Sequence, residues 1–131
     1  KIVEQADVKT LFANPLHPYT QGLLRSRPRM SEDRKRLDAI PGTVPDPSHF
    51  PPGCRFHSRC HLTQERSSEA ARHSTTAARG AESVNVLARC VRDDSDERGG
   101  LPELRQIAPG HRVACWEADG YETAASEIDT P

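Results

Sequence analysis

Aromatic side chains are scarce in this 131-residue sequence: one tryptophan, two tyrosines and three phenylalanines, 5% of the chain. Hydrophobic residues make up 34%. With glycine the apolar share is about 40%, under the roughly 45–50% of ordinary globular domains. Such a chain buries little apolar surface against a large ordering entropy, which excludes a large conventional core. No apolar run is long enough to span a bilayer, and no stretch reads as a secretory leader. Charge of one sign is also lacking. The formal net charge is -1, so no global field steers the chain onto nucleic acid. There is no Gly-x4-Gly-Lys-Ser/Thr loop, so this stretch cannot cradle and hydrolyse ATP in that manner. No Ser/His/Asp or Cys/His catalytic arrangement can be read from it.

What is present is proline, blocks of charge and four cysteines. "KIVEQ" alternates apolar and polar residues, as a short strand does. Its abrupt start at Lys1 suggests a piece of a larger protein. Asp7 can cap a helix through "VKTLFA", with Val8, Leu11 and Phe12 on one face. Asn14-Pro15 should stop it. "HPYTQGLLRS" predicts a second helix, with Pro18 at its first position, His17 as a helix-start contact, and Tyr19, Leu23 and Leu16 on its apolar side. "SEDRKRLDAI" predicts a weaker third, capped by Ser31. It belongs to a basic stretch running from Arg25 to Arg36, whose plain reading is a solvated face. Five prolines and a glycine between Pro41 and Pro52 predict a stiff, extended connector. The stretch from about Ser67 to Ser83 is rich in Ala, Ser, Thr and Arg. It predicts an exposed, partly disordered insertion, and "VRDDSDERGG" a second flexible loop. "LPELRQIAPGHRVAC" predicts recovered structure, with a turn at Pro109-Gly110 and a short strand in "HRVAC". From Glu117 to Pro131 there are five acids and no Lys or Arg, which predicts a flexible tail.

The cysteines are spaced C-x5-C, then 29 residues, then C-x24-C. Neither half is a C-x2-C pair, so zinc-ribbon and thioredoxin spacings are absent. Cys54, Cys60, Cys90 and Cys115 together make a complete tetrathiolate set, suited to an iron–sulfur cluster or zinc. Disulfides and unrelated free thiols are the other readings, and a reducing compartment disfavours the first of these. Pro51-Pro52-Gly53 would stiffen the approach to Cys54. Arg55, Arg59, Arg89 and Arg112 lie near cysteines in sequence and could lower the thiol pKa values. His57 and His61 could replace a sulfur in a Cys/His zinc site, though surface or hydrogen-bonding roles are the plainer assignment.

Four segments in order, "FANPLHPYTQGLL" (12–24), "IPGTVPDP" (40–47), "PPGCRFHSRC" (51–60) and "PGHRVACW" (109–116), closely resemble the C-terminal extension of the ATP-binding subunits of oligopeptide and dipeptide ABC importers. "NPLHPYT" is the hallmark of that extension. The resemblance implies residues 1–14 as the end of an ATPase domain and 15–116 as the transporter C-terminal domain, with insertions at about 67–89 and 91–100. Residues 117–131 become a tail, or a linker into a second ATPase half. It implies a small, irregular α+β fold, with short helices and Pro-rich loops around a four-cysteine cluster site. It implies a 4Fe-4S cluster, with Cys54, Cys60 and Cys115 on three matching ligand positions. The third ligand usually falls seven residues after the second, here Ser67, and Cys90 is inferred to replace it across the insertion. The cluster's role would be mainly structural, with redox or iron sensing as the sharper idea.

The parent chain would be a peptide-importer ATPase using ATP and Mg. Its partners would be a second ATPase subunit or half, membrane permease subunits and, indirectly, a peptide-binding protein, with no nucleic acid. It would sit peripherally on the cytoplasmic face of the bacterial membrane. The fragment itself would have no catalytic residues. The competing reading is a stand-alone zinc-binding interaction module. A redox enzyme is disfavoured by so small an apolar core.

Overall fold

Asp7 opens the first helix, α1 (Val8–Ala13). Its carboxylate accepts from the N–H groups of Lys9 and Thr10, at 3.0 and 3.1 Å, two of the donors a helix start leaves unpaired. Asn14 closes α1, and its N–H bonds the Thr10 carbonyl. The second helix, α2 (Pro18–Arg25), has Pro18 at its first position and His17 as its cap, with Nδ1 accepting from the Tyr19 N–H at 3.0 Å. Both helices form where expected, but most of their apolar side chains stay uncovered. Val8, Phe12, Tyr19 and Leu23 are all exposed. What is buried is the start of α2, His17 and Pro18.

These observations come from a computed structural model that describes residues 1–28, 38–91 and 100–120. The helix expected over 31–40 lies mostly outside that range, and residues 38–40 are not helical. Most of the loop expected over 91–100 and the tail after 120 also lie outside it. The stretch from Pro41 to Pro52 carries no helix or strand, as its prolines require.

A three-stranded antiparallel sheet joins the two ends of the described chain. β1 (Glu4–Gln5) pairs with β5 (His111–Val113), which pairs with β4 (Arg105–Ala108), in the order β1-β5-β4. Glu4 sits opposite Val113 and Gln5 opposite Arg112. The β4–β5 hairpin turns at Pro109-Gly110, with Gly110 at φ 72°, and a bulge shifts its register between Gln106 and Ala108. Val113, Cys115 and Ala118 form the buried cluster here, with Leu16, Ile107 and Trp116 packed against it. The core is small, as the composition requires.

The stretch from Ser67 to Ser83 departs from expectation. It is regular. Helix α3 (His61–Glu69) runs into it, and a hairpin of β2 (Ser74–Arg79) and β3 (Glu82–Leu87) follows, closed by the two-residue turn Gly80-Ala81. A one-turn helix α4 (Ala88–Val91) then carries Cys90. The physical reason is tertiary. Most side chains of the hairpin are exposed, but Ala77, Val86 and Leu87 are buried. Thr63 of α3, fully buried, accepts the Leu87 N–H on its hydroxyl at 2.8 Å. Composition alone carries no trace of that contact.

Candidate functional site

The Cys54–Cys60 loop is built by its own backbone. The His57 N–H bonds the Cys54 carbonyl, the Cys60 N–H bonds the His57 carbonyl, and residues 57–59 form one 3-10 turn. Gly53 precedes it at φ 70°, a conformation that disfavours any side chain. A Cβ there would also lie 2.5 Å from the Cys90 carbonyl oxygen. That close approach lets the Cys54 N–H donate to the same carbonyl at 2.9 Å. The inserted segment is thereby stitched to the loop at Cys90.

All four cysteines are free thiols, half-buried at Cys54 and buried at Cys60, Cys90 and Cys115. They share one neighbourhood. Cys60 feels the charge of Cys54, Cys90 and Cys115. Cys54 feels Cys90, Cys90 feels Cys115, and Cys115 feels Cys54. Burial is the main cause that pushes Cys54, Cys90 and Cys115 up to about 11, and Cys60 higher still. Each thiol also has a neighbouring donor that works against this rise. The Phe56 and His57 N–H groups serve Cys54, the Thr63 N–H serves Cys60, and the Glu117 and Ala118 N–H groups serve Cys115. The Thr63 hydroxyl serves Cys90. Such donors favour the anionic thiolate. Among the described residues, however, no three His, Cys, Asp or Glu side chains are gathered so as to hold a metal ion.

The arginines expected to stabilise thiolates are mostly occupied elsewhere. Arg55 stacks 3.9 Å over the Phe50 ring, and Arg59 bonds the Pro41 carbonyl. Arg89 does act on Cys90, weakly, and it also bonds Glu117. Backbone N–H groups and the Thr63 hydroxyl take the role assigned to the arginines. His57 is buried, with Nδ1 2.7 Å from the Cys54 carbonyl oxygen, so it supports the loop. His61 lies 3.4 Å from Arg25. Ser67, the position the resemblance gives to a third ligand, bonds the Gln64 carbonyl within α3.

Two buried glutamates frame this site, and neither stands out in the sequence. Glu4 accepts from the N–H groups of Leu16 and His17 at 2.7 and 3.1 Å and pairs with His111 at 2.8 Å. These bonds, with help from Thr20, hold its carboxyl below the usual range against the opposing effect of burial. His17 in turn bonds the Ala114 carbonyl and packs near Phe56, which meets Tyr19 edge-on at 5.4 Å. The "HPY" segment therefore seats both the Cys54 loop and the residue before Cys115. Beside it opens a cleft of about 320 Å3, with Cys54, Tyr19, Phe50 and Phe56 on its walls. The second glutamate is Glu117. It was assigned to a flexible tail, yet Glu117 and Ala118 are both buried. Arg66 donates to the Glu117 carboxylate at 2.8 Å and to its main-chain carbonyl at 2.9 Å, and Arg89 takes the other carboxylate oxygen. The signal available was "Cys-Trp-Glu-Ala": a lone acid directly after an apolar run.

Residues 3–66 match the family described as the C-terminal region of oligopeptide/dipeptide transporters. Over 66 residues the chain is 53% identical to the oligopeptide transport ATP-binding protein AppD of Bacillus subtilis, covering 50% of this chain and 20% of that protein. Over 62 residues it is 50% identical to a protein of Brucella melitensis named as a peptide import ATP-binding protein, covering 47% of this chain and 19% of that one. A similarly named protein of Brucella ovis is 40% identical over 98 residues, covering 70% of this chain and 28% of its own length. The chain thus spans only about a fifth to three tenths of these relatives. No solved structure matches it. No helix among the described residues is long and apolar enough to cross a membrane. The family match is confined to residues 3–66, just under half of the chain.

Proposed function

We propose that the chain is the C-terminal accessory region of the ATP-hydrolysing subunit of a peptide ABC importer, and that Cys54, Cys60, Cys90 and Cys115 hold a 4Fe-4S cluster within it. The family match over residues 3–66, together with relatives named as peptide import ATP-binding proteins, supports the first half. The parent subunit would work peripherally on the cytoplasmic face of the membrane, against permease subunits and a second ATPase subunit. It would couple ATP and Mg to peptide uptake. The exposed apolar residues of α1, Val8 and Phe12, are the surface we assign to the ATP-binding part.

The second half is supported by the four thiols lying within electrostatic reach of one another, each with a neighbouring donor that favours its anionic form. Four soft sulfur donors, with buried polar groups favouring their anionic form, fit an iron–sulfur cluster. When bound, the cluster would tie four distant segments together, a cross-link that a core this small lacks. In the chain itself, the Gly53 turn and the Cys90 carbonyl bring the backbones of Cys54 and Cys90 together. The Thr63 N–H and hydroxyl serve Cys60 and Cys90. The His17 bond to Ala114 steadies the approach to Cys115.

The test is iron, zinc and acid-labile sulfide content, with a visible spectrum, on protein purified without oxygen. About four irons and four sulfides, lost in Cys90→Ser, support the cluster and the place of Cys90 in it. One zinc without sulfide replaces the cluster with a zinc site. Neither metal leaves the accessory-region reading standing alone on the family match.

A further inference from the structure

Cys90 raises a problem of position. Cys54 and Cys60 are held by one short loop, and Cys115 by the strand before it. Cys90 arrives at the end of an inserted hairpin, beyond the residues that match the family. Its place is held by the backbone bond from Cys54 and by Thr63, which accepts the Leu87 N–H and neighbours the Cys90 thiol.

We infer that Glu117 is a positioning residue for the sulfur site, fixing Cys90 in place through Arg89. The carboxylate is 2% exposed and uses both oxygens, one on Arg89 and one on Arg66. Each partner adjoins a different cysteine. Arg89 immediately precedes Cys90, Arg66 lies in the helix that begins after Cys60, and Glu117 itself follows Cys115 by two residues. One side chain thus joins three of the four cysteine-bearing segments. The second bond from Arg66, to the Glu117 carbonyl, fixes the main chain of that residue as well as its carboxylate. Burying a carboxylate is costly without such partners, and two arginines with partly exposed side chains supply them. Outer partners of this kind orient ligands that they never touch.

The inference rests on the reading that the four thiols bind one group, so its test needs a readout that does not require that group. The protein, expressed with whatever sequence flanks these residues in its gene, is compared with Glu117→Gln in two assays. In the first, iron loss to a chelator and the visible spectrum are followed on anaerobic protein. Loss about 10- to 100-fold easier in the variant is expected, with an altered spectrum. In the second, metal-free protein is alkylated and each cysteine is followed by mass spectrometry. Cys90 should label roughly tenfold faster in the variant, while Cys54 and Cys60 keep their wild-type rates. An Arg89→Gln, Glu117→Gln double variant should be no worse than either single one. If Cys90 stays as protected in the variant as in the wild type, the inference is overturned. It is also overturned if all four thiols open together, because Glu117 then serves the fold at large. Wild-type protein with neither iron nor sulfide sinks the cluster reading, and the labelling pattern still decides whether Glu117 positions Cys90.

Discussion

Glu4 and Glu117 are the same residue type, equally hidden, with side chains 1% and 2% exposed. They are satisfied in opposite ways. Glu4 is met by main-chain N–H groups of Leu16 and His17, which cannot move without unmaking the start of α2, and by His111, which is itself buried. Glu117 is met by two long side chains that are partly in solvent. The first arrangement locks the part of the chain that matches the family. The second attaches the hairpin that lies beyond it. A carboxylate held by backbone is a fixed joint. One held by arginines can let go, because each arginine has water to return to.

The largest expected effect follows directly. Glu4→Ala leaves two buried N–H groups and a buried imidazole without their acceptor, and should cost about 3 kcal/mol. Glu117→Gln should cost less, about 1 to 2 kcal/mol, because Arg66 and Arg89 can rehydrate. Urea denaturation of both variants checks the order. Equal losses would show that the distinction between the two glutamates has no energetic content.

Acid should sharpen the same contrast. Burial pulls His17 from an ordinary 6.5 down to about 4, although Glu4 and the Ala114 carbonyl work the other way. Folded His17 thus takes up a proton less readily than unfolded His17. Its contribution is complete above pH 6.5 and is lost as the pH falls towards 4. By pH 4.5 the loss should be about 2 to 3 kcal/mol. Glu4 and Glu117, both held below the usual 4.5, add their losses only at lower pH, as each falls through its depressed value. Asparagine can still cap α2 but does not titrate here. His17→Asn should therefore show a flatter stability between pH 7 and 4.5. An unchanged slope would move the acid sensitivity to another group.

Gly53→Ala tests the joint between the two regions. The added methyl meets main-chain atoms of Cys90 and Val91, which cannot swing aside, in a backbone conformation alanine resists. A loss of about 2 kcal/mol is expected, with faster alkylation of Cys90 than of Cys60. A neutral result would mean that the Cys54 to Cys90 stitch is dispensable.

What the sequence disclosed is what a few adjacent residues decide. The Asp7 cap, Pro18 at the start of α2, the break at Asn14-Pro15 and the turn at Pro109-Gly110 all depend on local stereochemistry. The four cysteines drew notice as a set; the structure brings them within electrostatic reach of one another, but gathers no metal-holding group among the described residues. Three things were not legible. The β2–β3 hairpin packs on α3, where Thr63 takes the Leu87 N–H and Ala77, Val86 and Leu87 are buried, so its polar composition read as disorder. Glu117 looked like the first acid of an acidic tail because its partners lie 28 and 51 residues away. The arginines beside cysteines looked like counter-ions because sequence adjacency does not say which way a side chain turns.

Arg55 puts that last point to the smallest test. Adjacent to Cys54, it would be the natural cation to favour a thiolate. The structure instead lays its guanidinium over Phe50, and the influences on the Cys54 sulfur are burial, the Phe56 and His57 N–H groups, Cys90 and Lys1. Arg55→Ala should therefore cost only the stacking contact, about 0.5 to 1 kcal/mol. The pH dependence of Cys54 alkylation in metal-free protein should stay where it was. Gln should behave like Ala, because neither carries the charge. If both variants instead raise the pH at which Cys54 reacts, the guanidinium does reach the sulfur electrostatically. The thiolate would then depend on a surface cation that salt can screen, and not only on backbone donors that it cannot.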